Sequence, residues 1–302
     1  MVRTIFASIL LVFTTAGAVS AGVADAARTA LESKDYSSAV KLTTAGLDAP
    51  GISKEAAALL HAIRGEAHLS AEEFDAAAID FNSSIDASAD VHQVCSAVGN
   101  VFLLRGTALF WQRHFRDSQE DFRRALVCEP KSPVAWFKLG TANFAMHDER
   151  SAVTSFSEAI SLKPGYQDAL KGRGNSYENL GEFDNSLADY SEVLRRDPNN
   201  APTYNNRATI YTAQGRLDEA IIDYDRALAL TPSNFMIALN RAYLHFWKND
   251  YAGAREDLKL AKALHDDPKV WADFEKLYGA VFAKRREADM ADLDERLANT
   301  PN

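Results

Sequence analysis

Five arginines in this sequence are each followed sixteen residues later by an aspartate: Arg64 and Asp80, Arg105 and Asp121, Arg173 and Asp189, Arg207 and Asp223, Arg241 and Asp257. A guanidinium and a carboxylate can form a planar, two-pronged ion pair, so a fixed spacing suits a structural bond as well as chemistry on a substrate. In the run "TYNNRATIY" one of these arginines, Arg207, sits beside Asn205 and Asn206, whose amides could hold a ligand. Elsewhere "HAIRGEAH" offers His61, Glu66 and His68, but not at the His-Glu-x-x-His spacing of a zinc enzyme. No glycine-rich phosphate loop or nucleophile elbow is present in the sequence. These residues predict no metal, no cofactor and no catalytic cluster.

The elements that carry these side chains follow from a repeat of 34 residues. "AWFKLGTANF", "ALKGRGNSYENLG", "TYNNRATIYTAQG" and "ALNRAYLHFWKN" align with one another, and each precedes a second amphipathic stretch. At the eighth position stand only Gly or Ala (Ala27, Gly65, Gly106, Gly140, Gly174, Ala208, Ala242). The twentieth is Ala or Ser throughout, and the twenty-fourth is bulky: Phe81, Phe122, Phe156, Tyr190, Tyr224 and Leu258, with Thr43 the exception. Small residues facing a bulky one let two antiparallel helices approach closely. Pro130, Pro164, Pro198 and Pro232 then end four of the second helices, because proline cannot continue the ladder.

This pattern resembles the tetratricopeptide repeat (TPR) family of bacterial exported type. The resemblance implies an all-α, right-handed α-solenoid of about seven helix-turn-helix repeats, at 20–53, 58–91, 99–132, 133–166, 167–200, 201–234 and 235–268. A C-terminal helix and charged tail at 269–302 would cap it. The stripe Val270, Trp271, Phe274, Leu277, Tyr278, Val281 and Phe282 is expected to cover the last repeat. Arginine and aspartate occupy positions 7 and 23 of five repeats; the fourth has Leu139 and Ser155 there, the first Ala26 and Leu42. Joint loss is what a buried pair predicts, since breaking it from one side strands a desolvated charge.

In that family the first helices line a concave groove that binds extended peptides or partner helices. Its groove positions fall here on Leu103, Phe110 and Trp111, then Phe137, Lys138 and Phe144. Further along come Lys171, Asn175, Glu178, Asn205 and Asn206, and finally Asn240, Tyr243, Phe246 and Trp247. One subclass clamps a C-terminal carboxylate; Lys171, Asn175 and Asn206 match three of its positions. Met236 and Asn240 replace its two remaining cations, so the cationic half is absent. Of Phe110, Trp111, Phe246 and Trp247, two are expected to pack within the fold and two to meet a partner.

The N-terminus has the layout of a secretory signal over residues 1–21: Arg3, an apolar stretch from Thr4 to Val19, and the small-residue site Val19-Ser20-Ala21. Cleavage would give a periplasmic or secreted protein; an uncleaved anchor is the alternative. In an oxidising compartment Cys95 and Cys128, at ends that antiparallel helices bring to one side, could form a disulfide. Of the 302 residues, 47% are hydrophobic and 25% charged, with net charge −9 and no Lys/Arg cluster. Such a chain suits neither nucleic acid nor an anionic membrane surface.

The function read from the sequence is a non-catalytic protein-interaction scaffold binding a peptide or partner helix. A binding module for a small molecule or cell-wall ligand, using the groove aromatics, is the second reading. An enzyme with a groove-built site around Lys171 and Glu178 is the third.

Overall fold

A computed structural model describes residues 18–88, 91–269, 271–272 and 280–300; side chains at 18–20, 91–100 and 280–285 fall outside that description. Residues 1–17 of the expected signal, and most of the expected capping stripe, also lie outside the described residues. Residues 18–21, spanning the expected cleavage site, form the first turn of a helix.

Fifteen α-helices and no strand make up the described residues. The first repeat is α1 (Ala18–Glu32) and α2 (Tyr36–Leu47), the second α3 (Lys54–Ser70) and α4 (Phe74–Ala87). The third pairs α5 (Val91–Trp111) with α6 (Phe115–Cys128), and the fourth α7 (Pro133–Ala145) with α8 (Glu149–Leu162). Three more pairs follow: α9 (Gln167–Asn179) and α10 (Phe183–Arg196), α11 (Ala201–Ala213) and α12 (Leu217–Leu230), α13 (Phe235–Trp247) and α14 (Tyr251–His265). α15 (Ala280–Ala298) comes last. The chain divides into two compact units, Met1–Gly172 and Arg173–Asn302. No described helix is long and apolar enough to cross a membrane.

Each first helix ends in the same turn. Lys34, Glu72, Arg113, His147, Gly181, Gly215 and Asn249 hold the same repeat position, and all have φ between 59° and 73°. In every case the next residue's N–H donates to the carbonyl five residues back, as in His114 to Leu109 (2.9 Å). This six-to-one bond satisfies a carbonyl that the helix end leaves unpaired and reverses the chain. Glycine adopts such a φ freely, which makes Gly181 and Gly215 readable as turns from sequence. Four of the other five residues gave no such signal, and the turn forms regardless because the helices on either side dictate it.

The core lies between the helices of each pair. The rings of Phe81, Phe122, Phe156 and Tyr190, all at most 2% exposed, lie against Gly65, Gly106, Gly140 and Gly174. A Cβ built at any of those four glycines would come within 2.6–2.8 Å of the ring. Phe156 is enclosed on both sides, since a Cβ at Gly172 would also reach it at 2.6 Å. Thr43, where a ring is missing, turns its hydroxyl inward to donate to the Ala39 carbonyl at 2.7 Å.

At the C-terminal end of the second unit, α15 inserts Met290, Leu293 and Leu297 into the cluster of Ala238, Leu239, Ala242, Leu258 and Ala261. These three lie on one helical face, in a segment that reads from sequence as a charged tail. Its polar face bonds outward: Lys262 pairs with Asp294 (2.7 Å), and Arg255 donates to the Leu297 carbonyl (3.1 Å). Trp271, the expected stripe residue with a described side chain, packs on Phe235 with ring centroids 5.9 Å apart.

Candidate functional site

All five arginines grip their aspartates in a two-pronged bond, with Nε and Nη2 each 2.6–2.9 Å from a carboxylate oxygen. The aspartates are 2–5% exposed, and each pair joins the two helices of a single repeat. The third nitrogen reaches the preceding repeat. Nη1 donates from Arg64 to Thr44 (3.1 Å), from Arg105 to Asn82 (2.7 Å), from Arg207 to Ser191 (3.0 Å) and from Arg241 to Asp225 (2.5 Å). These acceptors share one repeat position, two residues beyond the aspartate's. In the third repeat that position is Arg123, and the repeat after it has Leu139 in place of the arginine. Acceptor, arginine and aspartate therefore disappear together, a three-way signal legible in the sequence once the geometry is known.

The fourth repeat replaces the pair with neutral hydrogen bonds. Asn143, 2% exposed, donates to Ser155 at 3.1 Å and accepts from Gln119 at 2.6 Å. His61 and His68 flank Asp80, with His61 Nδ1 2.9 Å from Asp80 Oδ1 and His68 Nδ1 2.5 Å from Glu73 Oε2. No set of three or more potential metal-ligating side chains gathers among the described residues. Cys128 is disulfide-bonded; Cys95, its expected partner, lies outside the described side chains.

The asparagines behave differently from the arginines. In the second unit, Asn206 Nδ2 donates to Asn175 Oδ1 at 3.3 Å, joining α11 to α9. Asn205 Nδ2 donates in turn to Asn206 Oδ1 at 3.4 Å, which fixes the amide's orientation. That leaves Asn205 Oδ1 buried with no donor. Tyr190, rising from α10, places its Oη 2.6 Å from Asn175 Oδ1 and 3.1 Å from Glu178 Oε2. Its one proton is shared between these two acceptors, with the amide oxygen the nearer. Burial raises the Glu178 carboxyl above the usual glutamate range, and the hydrogen bond from Tyr190 partly offsets that rise. Burial, then the neighbouring Glu178, pushes the Tyr190 phenol well above its ordinary value. Tyr224 sits alongside with Thr209 (3.3 Å), Thr212 and Asn240 at its hydroxyl.

Glu178 is readable from sequence at a groove position beside the asparagines, but neither tyrosine is. Tyr190 and Tyr224 occupy the bulky core position, and their spacing gives no hint that the hydroxyl crosses to the first-helix face. Lys171, in the first unit, has its ammonium 2.9 Å from Asp168.

The aromatics divide into two kinds. Phe110 packs against Phe115 (centroids 5.2 Å apart) and Phe246 against Tyr251 (5.8 Å), both within the core clusters. Trp111 and Trp247 stand 59% and 53% exposed at the same position of the third and seventh repeats. Trp111 stacks on Phe74, and Trp247 leans on Tyr243, whose hydroxyl donates to the Asp289 carbonyl of α15 at 2.7 Å.

Comparison with known proteins agrees with this architecture. A family model described as "Tetratricopeptide repeat" matches residues 145–201, 172–235 and 205–268. No curated protein matches the chain. Among solved structures, the C-terminal part of a TPR repeat-containing protein from Cytophaga hutchinsonii is similar at TM-score 0.67 and 15% identity, covering 82% of this chain and 98% of that one. A tetratricopeptide repeat protein from Parabacteroides merdae is similar at TM-score 0.61 and 15% identity, covering 86% and 99%. YrrB, described as a TPR protein with an unusual peptide-binding site, is similar at TM-score 0.54 and 18% identity, covering 66% and 96%. The family match over residues 145–268, with the paired helices and the small-against-bulky core, shows that the chain carries tetratricopeptide repeats and has the fold of these repeat proteins.

Proposed function

We propose that this protein is a non-catalytic interaction scaffold of the cell envelope. Its first-helix face in the second unit holds an extended segment of another protein. The observation that carries the reading is the bridged cluster of Asn175, Asn205 and Asn206, with Asn205 Oδ1 buried and lacking a donor. A buried acceptor left unpaired costs about 1–3 kcal/mol, and rotation of the Asn205 side chain toward the face would let a backbone N–H of a bound segment remove that cost. Side-chain amides offer both donors and acceptors, which suits a peptide backbone of any sequence. The exposed Trp111 and Trp247 supply apolar anchors at other points. Export is supported by the arginine-led apolar N-terminus and by the disulfide at Cys128, which suits an oxidising compartment.

The test is affinity capture from an envelope extract of the source organism. The full-length protein is compared with a variant carrying Asn175→Ala, Asn205→Ala and Asn206→Ala, its fold checked by thermal melting. A specific protein captured by the first and lost from the second supports the reading. Equal capture by both overturns it. Capture abolished only by Trp111→Ala and Trp247→Ala moves the contact to the indoles.

A further inference from the structure

We propose that Glu178 selects a basic side chain, lysine or arginine, in the bound segment. The inference rests on the scaffold reading and names the chemistry of its partner. The first-helix face of the second unit carries Asn175, Glu178, Asn205, Asn206, Thr209, Asn240, Tyr243, Phe246 and Trp247. Glu178 is the one carboxylate among them, and none is a lysine or arginine.

The two unmet needs on this face have the same sign. Asn205 Oδ1 is a buried acceptor without a donor. Glu178 has one protein hydrogen bond, through Oε2 to Tyr190, so Oε1 remains open to a donor. The titratable groups turned toward it are Tyr190 of α10 and Tyr224 of α12, whose own titration registers the Glu178 charge. Neither supplies a positive charge. Two turns earlier on the same helix, Lys171 is engaged with Asp168. A ligand carboxylate would therefore meet no cation here, whereas an ammonium or guanidinium would meet an open carboxyl oxygen. A net charge of −9 favours the approach of a basic segment over an acidic one.

Proton exchange accompanies this recognition. In the free protein burial raises the carboxyl above the ordinary glutamate range, so it holds its proton to higher pH than an exposed glutamate does. A cation seated against Oε1 makes a charge-assisted hydrogen bond to the ionised form, so binding expels the proton. Affinity for a basic segment then rises with pH across the Glu178 titration, by about tenfold for each pKa unit separating free and bound states. A neutral carboxyl donating to a backbone carbonyl would give the opposite sign, with affinity falling as pH rises.

The experiment uses an array of decapeptides with acetylated N-termini and amidated C-termini, probed with full-length protein at pH 5 and pH 7.5. Wild type is compared with Glu178→Gln, whose amide oxygen still accepts from Tyr190, and with Asn175→Ala plus Asn206→Ala. The expected result is enrichment of lysine- or arginine-containing peptides by wild type, at least fivefold stronger at pH 7.5. Glu178→Gln would lose both the preference and its pH dependence while melting normally. Peptides bound in an asparagine-dependent way without basic preference, or more tightly at pH 5, overturn the role of Glu178 and leave the scaffold reading standing. If no peptide binds, or binding ignores the asparagines, both fall.

Discussion

Arg207 holds Asp223 sixteen residues ahead through two bonds of 2.7 and 2.8 Å, and Ser191 sixteen residues behind through a third of 3.0 Å. One guanidinium thus fastens the two helices of its own repeat and ties that repeat to the one before. The fork geometry of arginine allows this, because Nε and Nη2 point one way and Nη1 the other. Lysine, with a single ammonium, cannot make the same three directed bonds.

Removing either end of the pair leaves the other charge in a desolvated site. Arg207→Ala is expected to destabilise the protein by roughly 3 kcal/mol, because Asp223 is only 3% exposed. Ser191→Ala, which removes the inter-repeat bond alone, should cost about 1 kcal/mol. Urea titration of both variants gives the comparison; equal midpoints for Arg207→Ala and wild type would sink the assignment.

Close packing at the small positions makes a second prediction. A Cβ at Gly140 would lie 2.6 Å from the Phe156 ring, and the ring has little room to retreat because Gly172 lies on its other side, so closely that a Cβ there would also come within 2.6 Å. Gly140→Ala should therefore destabilise by about 1–3 kcal/mol, although alanine is the better helix former. The equivalent Ala208 and Ala242 carry a methyl in the repeats whose bulky residues are Tyr224 and Leu258, so the predicted penalty is specific to the enclosed Phe156 ring. Combining Gly140→Ala with Phe156→Leu should recover part of the loss in a thermal melt.

The helix at the C-terminus is expected to be part of the second unit's core. Leu293 is fully buried against α13 and α14, and Leu293→Ala should cost about 2–5 kcal/mol. Leu293→Asp should release α15 altogether. Hydrogen exchange would then show lost protection in α13 and α14; exchange confined to α15 would mean the helix adds little to the fold.

Glu178 gives a pH prediction for stability that needs no ligand. Its folded value is raised above the ordinary 4.5 by burial, so the folded state retains a proton that the unfolded state releases. The stability tied to the neutral form is fully present below 4.5 and is lost as pH climbs through the raised folded value. Glu178→Gln has no such proton to lose. Its melting temperature should gain on wild type between pH 4.5 and neutrality, and a gap that stays constant across that range would rule out the burial argument.

By itself the sequence determined what depends on distances along one repeat. The 34-residue period places small residues against rings and arginine against aspartate within a single helix pair, and each of those contacts spans only sixteen residues. Turn positions were legible at Gly181 and Gly215 and hidden at residues such as Glu72 and Arg113, since packing of the flanking helices can impose a positive φ on any side chain.

Tertiary structure alone decided what depends on how one repeat is rotated against the next. Asn206 meeting Asn175, and α15 entering through three apolar side chains in a charged segment, join helices of different repeats by angles that no spacing encodes. Exposure of Trp111 and Trp247, with Phe110 and Phe246 packed, has the same origin. Aromatic residues at neighbouring helical positions differ by about 100° in direction, and only the placement of the adjacent helix settles which one it covers.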